Sequence, residues 1–221
     1  MGIFKLEKIE VTYGTGNSAV SALRGIDLQI KEGEKIAIVG PSGSGKSTLL
    51  NVLGGLEKPT NGKYLYKGQE YYNLKQSRQS DIRLKEFGFV FQSFYLVSSL
   101  TVKDNILLPM VADKRKTDDK FLDDVVNRLG IAERMTHFPN ELSGGEKQRV
   151  AIARAIINKP GVIFADEPSG NLDSVTGENV FELLFEVANN YKQTLIYVTH
   201  DLEKAKLAQR IITIKDGEIY E

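Results

Sequence analysis

Gly40-Pro41-Ser42-Gly43-Ser44-Gly45-Lys46-Ser47-Thr48 decides the reading of this 221-residue chain. The stretch matches the phosphate-loop pattern G-x-x-x-x-G-K-[ST], and its flanks fit as well as its letters. Upstream, Lys35-Ile36-Ala37-Ile38-Val39 is short, apolar and β-branched, as a buried parallel strand should be. Downstream, Ser47 to Leu53 has helical composition, with apolar side chains at 49, 52, 53 and 56. Strand, glycine loop and helix aim backbone N–H groups and the positive end of a helix dipole at one spot. The glycines let the chain wrap a phosphate without Cβ clashes. Lys46 can reach the β/γ-phosphates, and the Ser47 hydroxyl can ligate Mg²⁺. A chance glycine-rich turn would not carry all of these features in register, so the stretch implies binding of a nucleoside triphosphate.

The totals set bounds on everything else. Lys+Arg and Asp+Glu both number 29, so no bulk basic field points to nucleic acid, although a local patch is compatible with balance. Hydrophobic residues at 41% supply an ample core. The chain has no cysteine, which removes disulfides, thiolate metal sites and a cysteine nucleophile together. Met1-Gly2-Ile3-Phe4-Lys5 shows no signal-peptide pattern, and no apolar run approaches the roughly 18 residues of a membrane span.

Taken in order, residues 4–12 and 20–31 read as two strands joined by the turn-rich Tyr13 to Ser18, the second alternating Ile26, Leu28, Ile30 with Asp27, Gln29, Lys31. Tyr13 can stack on a base or pack on its own hairpin, and spacing alone favours the second. A strand pair follows at 63–66 and 69–71, and Phe87 to Gln92 reads as a buried strand ending in an amide. Helical patterns then dominate. One helix is expected over Thr101–Ala112, bent or ended near Pro109, and another over Asp118–Leu129 with Phe121, Leu122, Val125, Val126 and Leu129 on one face. From 160 the α/β rhythm returns: strand 162–165, helix 177–189, strand 194–198, helix 202–208, and a closing hairpin around Asp216-Gly217. The expected fold is α/β, with a mainly parallel core sheet, an N-terminal antiparallel β-subdomain and an inserted α-helical subdomain. The whole 1–221 forms a single domain, with 93–159 inserted between 1–92 and 160–221.

In open parallel sheets, ligands bind beyond the carboxyl ends of the strands. Three expected core strands end in groups that suit one reaction: Gly40 and the phosphate loop, Asp166-Glu167, and Thr199-His200. Asp166 is placed to hold Mg²⁺ through its water shell. Glu167 can accept a proton from an attacking water or orient it. His200 can contact the γ-phosphate, and Gln92 the metal and water. Singly, a strand-end Asp caps helices and a strand-end His is often structural; together with the phosphate loop they favour hydrolysis over binding alone.

Leu142-Ser143-Gly144-Gly145-Glu146 opens a further helix running to Asn158. Ser143 and Glu146 form a capping box, and the two glycines leave the first N–H groups unobstructed, making a second anion-binding helix start. An ordinary capped helix would satisfy the box alone. Yet the chain then holds two phosphate cradles and one nucleotide loop. If each triphosphate is gripped by the loop of one copy and the Ser-Gly-Gly of another, a head-to-tail dimer of C2 symmetry results.

This combination resembles the nucleotide-binding subunit of ATP-binding cassette transporters over essentially the whole chain. The residues that carry the resemblance are the phosphate loop, Gln92, Leu142–Glu146, Val162–Glu167, Ser169-Gly170-Asn171-Leu172-Asp173 and His200. The resemblance implies ATP and Mg²⁺ as cofactors and ATPase activity. It implies that Tyr13 stacks on adenine, against the reading from spacing. It further implies that Gly40, Ser42, Gly43, Ser44, Gly45, Lys46, Ser47 and Thr48 hold the phosphates, with Ser47, Gln92 and Asp166 serving the metal. Glu167 is then the catalytic base and His200 the γ-phosphate sensor; Ser143, Gly144 and Gly145 act in trans, and Asp173 lies in the loop that crosses the dimer. Ser169 departs from the Thr of many members. The stretches around Gln92 and Glu167 look like the lipoprotein-releasing, macrolide-exporting and antimicrobial-peptide-resistance branch.

The same resemblance implies an ATP-bound homodimer. It would drive a separate transmembrane permease, with or without an extracytoplasmic adaptor, from the cytoplasmic face of the membrane and without nucleic acid. Phe94, Tyr95 and Leu100 are either exposed docking residues for that partner or core packing. The alternative is mechanotransmission to an envelope or cell-division partner, for which the catalytic residues would be identical. A soluble role on DNA or ribosomes ranks last, since the chain has neither a second cassette nor a long inserted arm.

Overall fold

Apolar side chains on one face pair β1 (Gly2–Tyr13) with β2 (Val20–Lys31) as an antiparallel ribbon. Phe4, Leu6, Ile9 and Val11 from β1 and Leu23, Ile26, Leu28 and Ile30 from β2 are all buried. Leu6 to Ile9 is an odd step, which would turn Ile9 outward in a regular strand. The register shifts between those two residues, and Lys8 takes a positive φ of 50°, so a bulge returns Ile9 to the core face. The computed structural model describes residues 2–220, the side chain of Asn17 excepted. It divides into two units, Met1–Arg83 with Thr194–Glu221, and Leu84–Gln193.

In the first unit, β4 (Asn61–Tyr66) pairs with the other edge of β1 and β5 (Gln69–Glu70) extends it, giving the order β2-β1-β4-β5. Tyr64, Tyr71 and Tyr72 cluster here, and the Tyr64 hydroxyl donates to the Leu53 carbonyl at the end of α1 (Lys46–Leu53). The phosphate-loop strand β3 (Lys35–Val39) lies between β8 (Thr194–Val198) and β9 (Arg210–Lys215), parallel to both. Every residue of β3 and β8 is buried, as expected of strands covered on both faces. β10 (Glu218–Tyr220) returns antiparallel to β9 across Asp216-Gly217.

The second unit pairs β6 (Phe87–Phe91) in parallel with β7 (Val162–Asp166), placing Phe91 opposite Asp166. Around them run α3 (Val102–Ala112), α4 (Asp119–Arg128), α5 (Gly144–Ile156) and α6 (Ser174–Asn190). The structure thus has the expected α/β class with its antiparallel β-subdomain, helical stretch and parallel core strands.

Three local expectations change. A helix that the sequence pattern does not announce, α2 (Gln76–Glu86), precedes β6; it buries only Ile82, so it offered no apolar stripe. The helix expected over Thr101–Ala112, by contrast, is present as α3 with Pro109 inside it; one missing N–H costs a single helical bond near its end. The helix expected over 202–208 is α-helical only as α7 (Leu202–Ala205), after which Leu207 and Ala208 bond to carbonyls three residues back. Tyr13 ends β1 opposite Val20 rather than lying in the turn, and its ring is 43% exposed.

Candidate functional site

In the first unit the phosphate loop connects β3 to α1. Gly40 has φ 148°, and a Cβ there would lie 2.0 Å from the Ile214 carbonyl oxygen, so only glycine fits. The start of α1 has no side-chain cap and no acidic residue in its first turn. A helix start of this kind, with its positive dipole end uncompensated by an acid of its own first turn, favours an external anion. Lys46 is 8% exposed and its Nζ donates to the Pro41 carbonyl at 2.8 Å, which folds the ammonium back over the loop. The Ser44 hydroxyl is buried and makes no hydrogen bond with the described residues. Ser42, Gly43 and Ser47 are exposed, and Thr48 is half-buried. An uncapped helix start, a lysine and an orphaned hydroxyl around one glycine loop suit a phosphate chain.

His200 is exposed and follows β8, between Thr199, whose N–H donates to Ile38 O, and Asp201, which caps α7 through the N–H groups of Glu203 and Lys204. The Tyr13 hydroxyl donates to Glu57 Oε2 at 3.4 Å.

In the second unit Gln92 and Asp166-Glu167 leave the carboxyl ends of adjacent strands. Glu167 has φ 43°, an uncommon conformation for a residue with a Cβ. The Glu167 carbonyl accepts from the Gly170 N–H at 2.9 Å, which closes the turn after it. Gln148 of α5, wholly buried, donates Nε2 to the Phe91 carbonyl at 3.2 Å and so holds the end of β6. Arg154 donates to the carbonyls of Phe94 (2.8 Å) and Tyr95 (2.6 Å), and burial pulls its pKa down. Tyr95 is 68% exposed and Val97 is exposed, whereas Phe94 and Leu100 are half-buried. Nothing in the linear sequence marks Gln148 and Arg154 as holding these loops; the available signal is an amide and a guanidinium set among the apolar residues of α5.

The helix start at Ser143 has the expected capping box: Ser143 Oγ accepts from the Glu146 N–H, and Glu146 Oε2 accepts from the Ser143 N–H at 2.8 Å. Arg134 Nε also donates to Glu146 Oε1 at 2.7 Å, and with the Ser143 bonds it lowers the Glu146 pKa to about 2. The Ser143 hydroxyl also bonds the Glu146 carboxylate and helps lower its pKa, so the two capping partners engage each other through side chain as well as backbone. The adjoining glycines also serve packing, a role that their place at a helix start does not reveal. A Cβ on Gly145 would meet Thr176 Cγ2 at 2.5 Å, and one on Gly144 would meet Leu172 Cδ2 at 3.1 Å. Asp173 caps α6 by accepting from the Thr176 N–H at 3.0 Å, a bond that lowers its pKa.

A phosphate loop opening a helix after a parallel strand defines the class of P-loop nucleotide-binding proteins. The chain belongs to the ABC transporter family, whose model matches residues 23–170. It is 43% identical to the lipoprotein-releasing system ATP-binding protein LolD of Shewanella oneidensis over 97% of this chain and 94% of that one. It is also 43% identical to the bacitracin export ATP-binding protein BceA of Halalkalibacterium halodurans, over 100% of this chain and 88% of that one. Among solved structures it is similar to a dimeric ATP-binding cassette in a post-hydrolysis state bound to ADP and Pi. That likeness has a TM-score of 0.87 and 41% identity, covering 99% of this chain and 97% of the other.

Proposed function

We propose that this chain is the ATP-hydrolysing subunit of a membrane transporter. Two copies close around two ATP molecules and drive a separate transmembrane partner from the cytoplasmic face. The observation that carries the reading is the pair of helix starts suited to anions in one chain: α1 behind the phosphate loop, and α5, which opens on Gly144 and Gly145. A single triphosphate does not need both, whereas two copies arranged head to tail use each once. The similarity to a dimeric cassette bound to ADP and Pi supports a dimer. Among the described residues no helix is long and apolar enough to cross a membrane.

In this reading the phosphate-loop backbone, Lys46, Ser44 and Thr48 bind the phosphates, and Tyr13 stacks on the adenine. Ser47, Gln92 and Asp166 offer a hydroxyl, an amide and a carboxylate, the hard oxygen donors that suit Mg²⁺. When bound, Mg²⁺ neutralises charge on the phosphates. Glu167 orients and deprotonates the attacking water, its left-handed backbone fixing where the carboxylate begins. His200 senses the γ-phosphate, Asp173 works in the loop facing the second copy, and the helical stretch 93–159 carries the trans-acting signature. Exposed Tyr95 and Val97 offer the partner a small apolar foothold.

The names of the two relatives support a cargo drawn from amphiphiles handled at membranes, namely lipoproteins and peptide antibiotics, with macrolides as a third class from the sequence resemblance. Glu167→Gln tests the catalytic assignment. Phosphate release should fall by about 10²-fold or more, as for loss of a general base, while ATP-dependent dimers accumulate on size exclusion. Hydrolysis at the wild-type rate would remove Glu167 from the base role. Affinity purification of the native complex identifies the membrane partner, and a partner without lipoprotein or antibiotic traffic would overturn the cargo class.

A further inference from the structure

Gln92 and Asn171 lie 79 residues apart and exchange two hydrogen bonds. Gln92 Nε2 donates to Asn171 Oδ1 at 2.9 Å, and Asn171 Nδ2 donates to the Gln92 backbone carbonyl at 3.1 Å. The chemistry of the pair fixes both amide orientations. A backbone carbonyl can only accept, so the NH₂ of Asn171 must face it. Asn171 Oδ1 then faces Gln92, which must present its own NH₂. The Gln92 side-chain oxygen is the atom left over. Gly170 keeps the neighbourhood tight: a Cβ there would lie 2.8 Å from Gln92 Nε2 and 3.2 Å from Glu167 Oε2.

We propose that Asn171 is a positioning residue that turns the Gln92 side-chain oxygen outward as a ligand for the nucleotide-borne Mg²⁺, and that it ties this orientation to the loop carrying Asp173. The proposal rests on the reading of Gln92 as a metal ligand given above. An unlocked glutamine amide presents its nitrogen as readily as its oxygen, and a nitrogen bearing two protons cannot bind a cation. Asn171 removes that ambiguity. Asp173 lies two residues further along the same loop and caps α6, so a shift of this loop would release or restore the Gln92 lock.

The test is equilibrium binding of a fluorescent ATP analogue to the full chain at low temperature, titrated with Mg²⁺ and repeated in EDTA. Gln92→Ala, Asn171→Ala, Asn171→Ser and the Gln92→Ala/Asn171→Ala double variant are compared, with the melting temperature of each nucleotide-free chain as the folding control. We expect Asn171→Ala to raise the half-saturating Mg²⁺ concentration about fivefold, the scale of one ordinary hydrogen bond. Binding in EDTA should stay unchanged, and the double variant should be no worse than Gln92→Ala. If Gln92→Ala leaves the Mg²⁺ dependence intact, the ligand reading itself falls. If Gln92→Ala shifts it and Asn171→Ala does not, the positioning role falls. Equal losses in EDTA and in Mg²⁺ would reduce Asn171 to a structural residue, and an undiminished effect in the Gln92→Ala background would show that it acts elsewhere. Should Asn171→Ala melt early, Asn171→Ser carries the same comparisons.

Discussion

Glu146 accepts from Arg134 and from the Ser143 N–H, and these bonds hold its carboxyl at about 2, well below the usual glutamate range. A carboxylate depressed on folding contributes stability above its unfolded pKa and loses it as pH falls through the folded one. The window here runs from about 4.5 down to about 2. Glu146→Gln keeps an acceptor for the Ser143 N–H but loses the ion pair. Its melting temperature should lie below that of the wild type at neutral pH, and the gap should close as pH falls through that window. A gap that persists to pH 2 would mean that charge is not what Glu146 contributes. At this scale the capping pair was legible because both partners lie within one turn, three residues apart. Arg134 was not, since nothing in a linear reading singles out that arginine as the partner.

Segments without regular structure depend on single side chains lent by neighbouring helices. Wholly buried Asn105 of α3 accepts the Val97 N–H at 2.8 Å and donates to the carbonyls of Val97, Leu100 and Thr101, each at 3.0 Å. One amide thereby holds the loop that leads from Gln92 into α3. Asn105→Leu keeps the volume and removes every bond. It should lower unfolding stability by about 1–3 kcal/mol, the cost of leaving such groups unpaired, and accelerate amide exchange at Val97; urea unfolding and hydrogen exchange measure the two effects. Unchanged exchange at Val97 would show that the loop holds itself. Elements buried on both faces, such as β3 and β8, were readable as uninterrupted apolar runs. The polar α2 was hidden because its formation owes little to any apolar face.

Across the whole molecule, two helix starts prepared for anions imply a partner copy, and that implication is testable without a membrane. Combining Ser143→Arg with Glu167→Gln should yield a chain that still binds ATP through its own phosphate loop yet no longer forms the ATP-dependent dimer of the single Glu167→Gln variant. Size exclusion with light scattering separates the two states. A dimer that survives Ser143→Arg would place the second phosphate grip elsewhere. ATP binding lost in the double variant would instead mean that Ser143 acts within its own chain.

A phosphate-loop pattern draws its N–H groups from one continuous stretch, so Gly40 to Thr48 announces itself in consecutive letters. The same holds for the Ser143 capping box and for Val162 to Glu167, where a buried strand runs directly into its acids. Only tertiary structure could show that Asn171 locks the Gln92 amide, that Gly145 makes room for Thr176, or that Glu167 starts from a left-handed backbone. Those facts depend on which residues the register of β6 against β7 and the packing of α5 on α6 bring within about 3 Å, the reach of a hydrogen bond. Such proximity is set by the folded sheet and helices together, and no local stretch of chain encodes it alone.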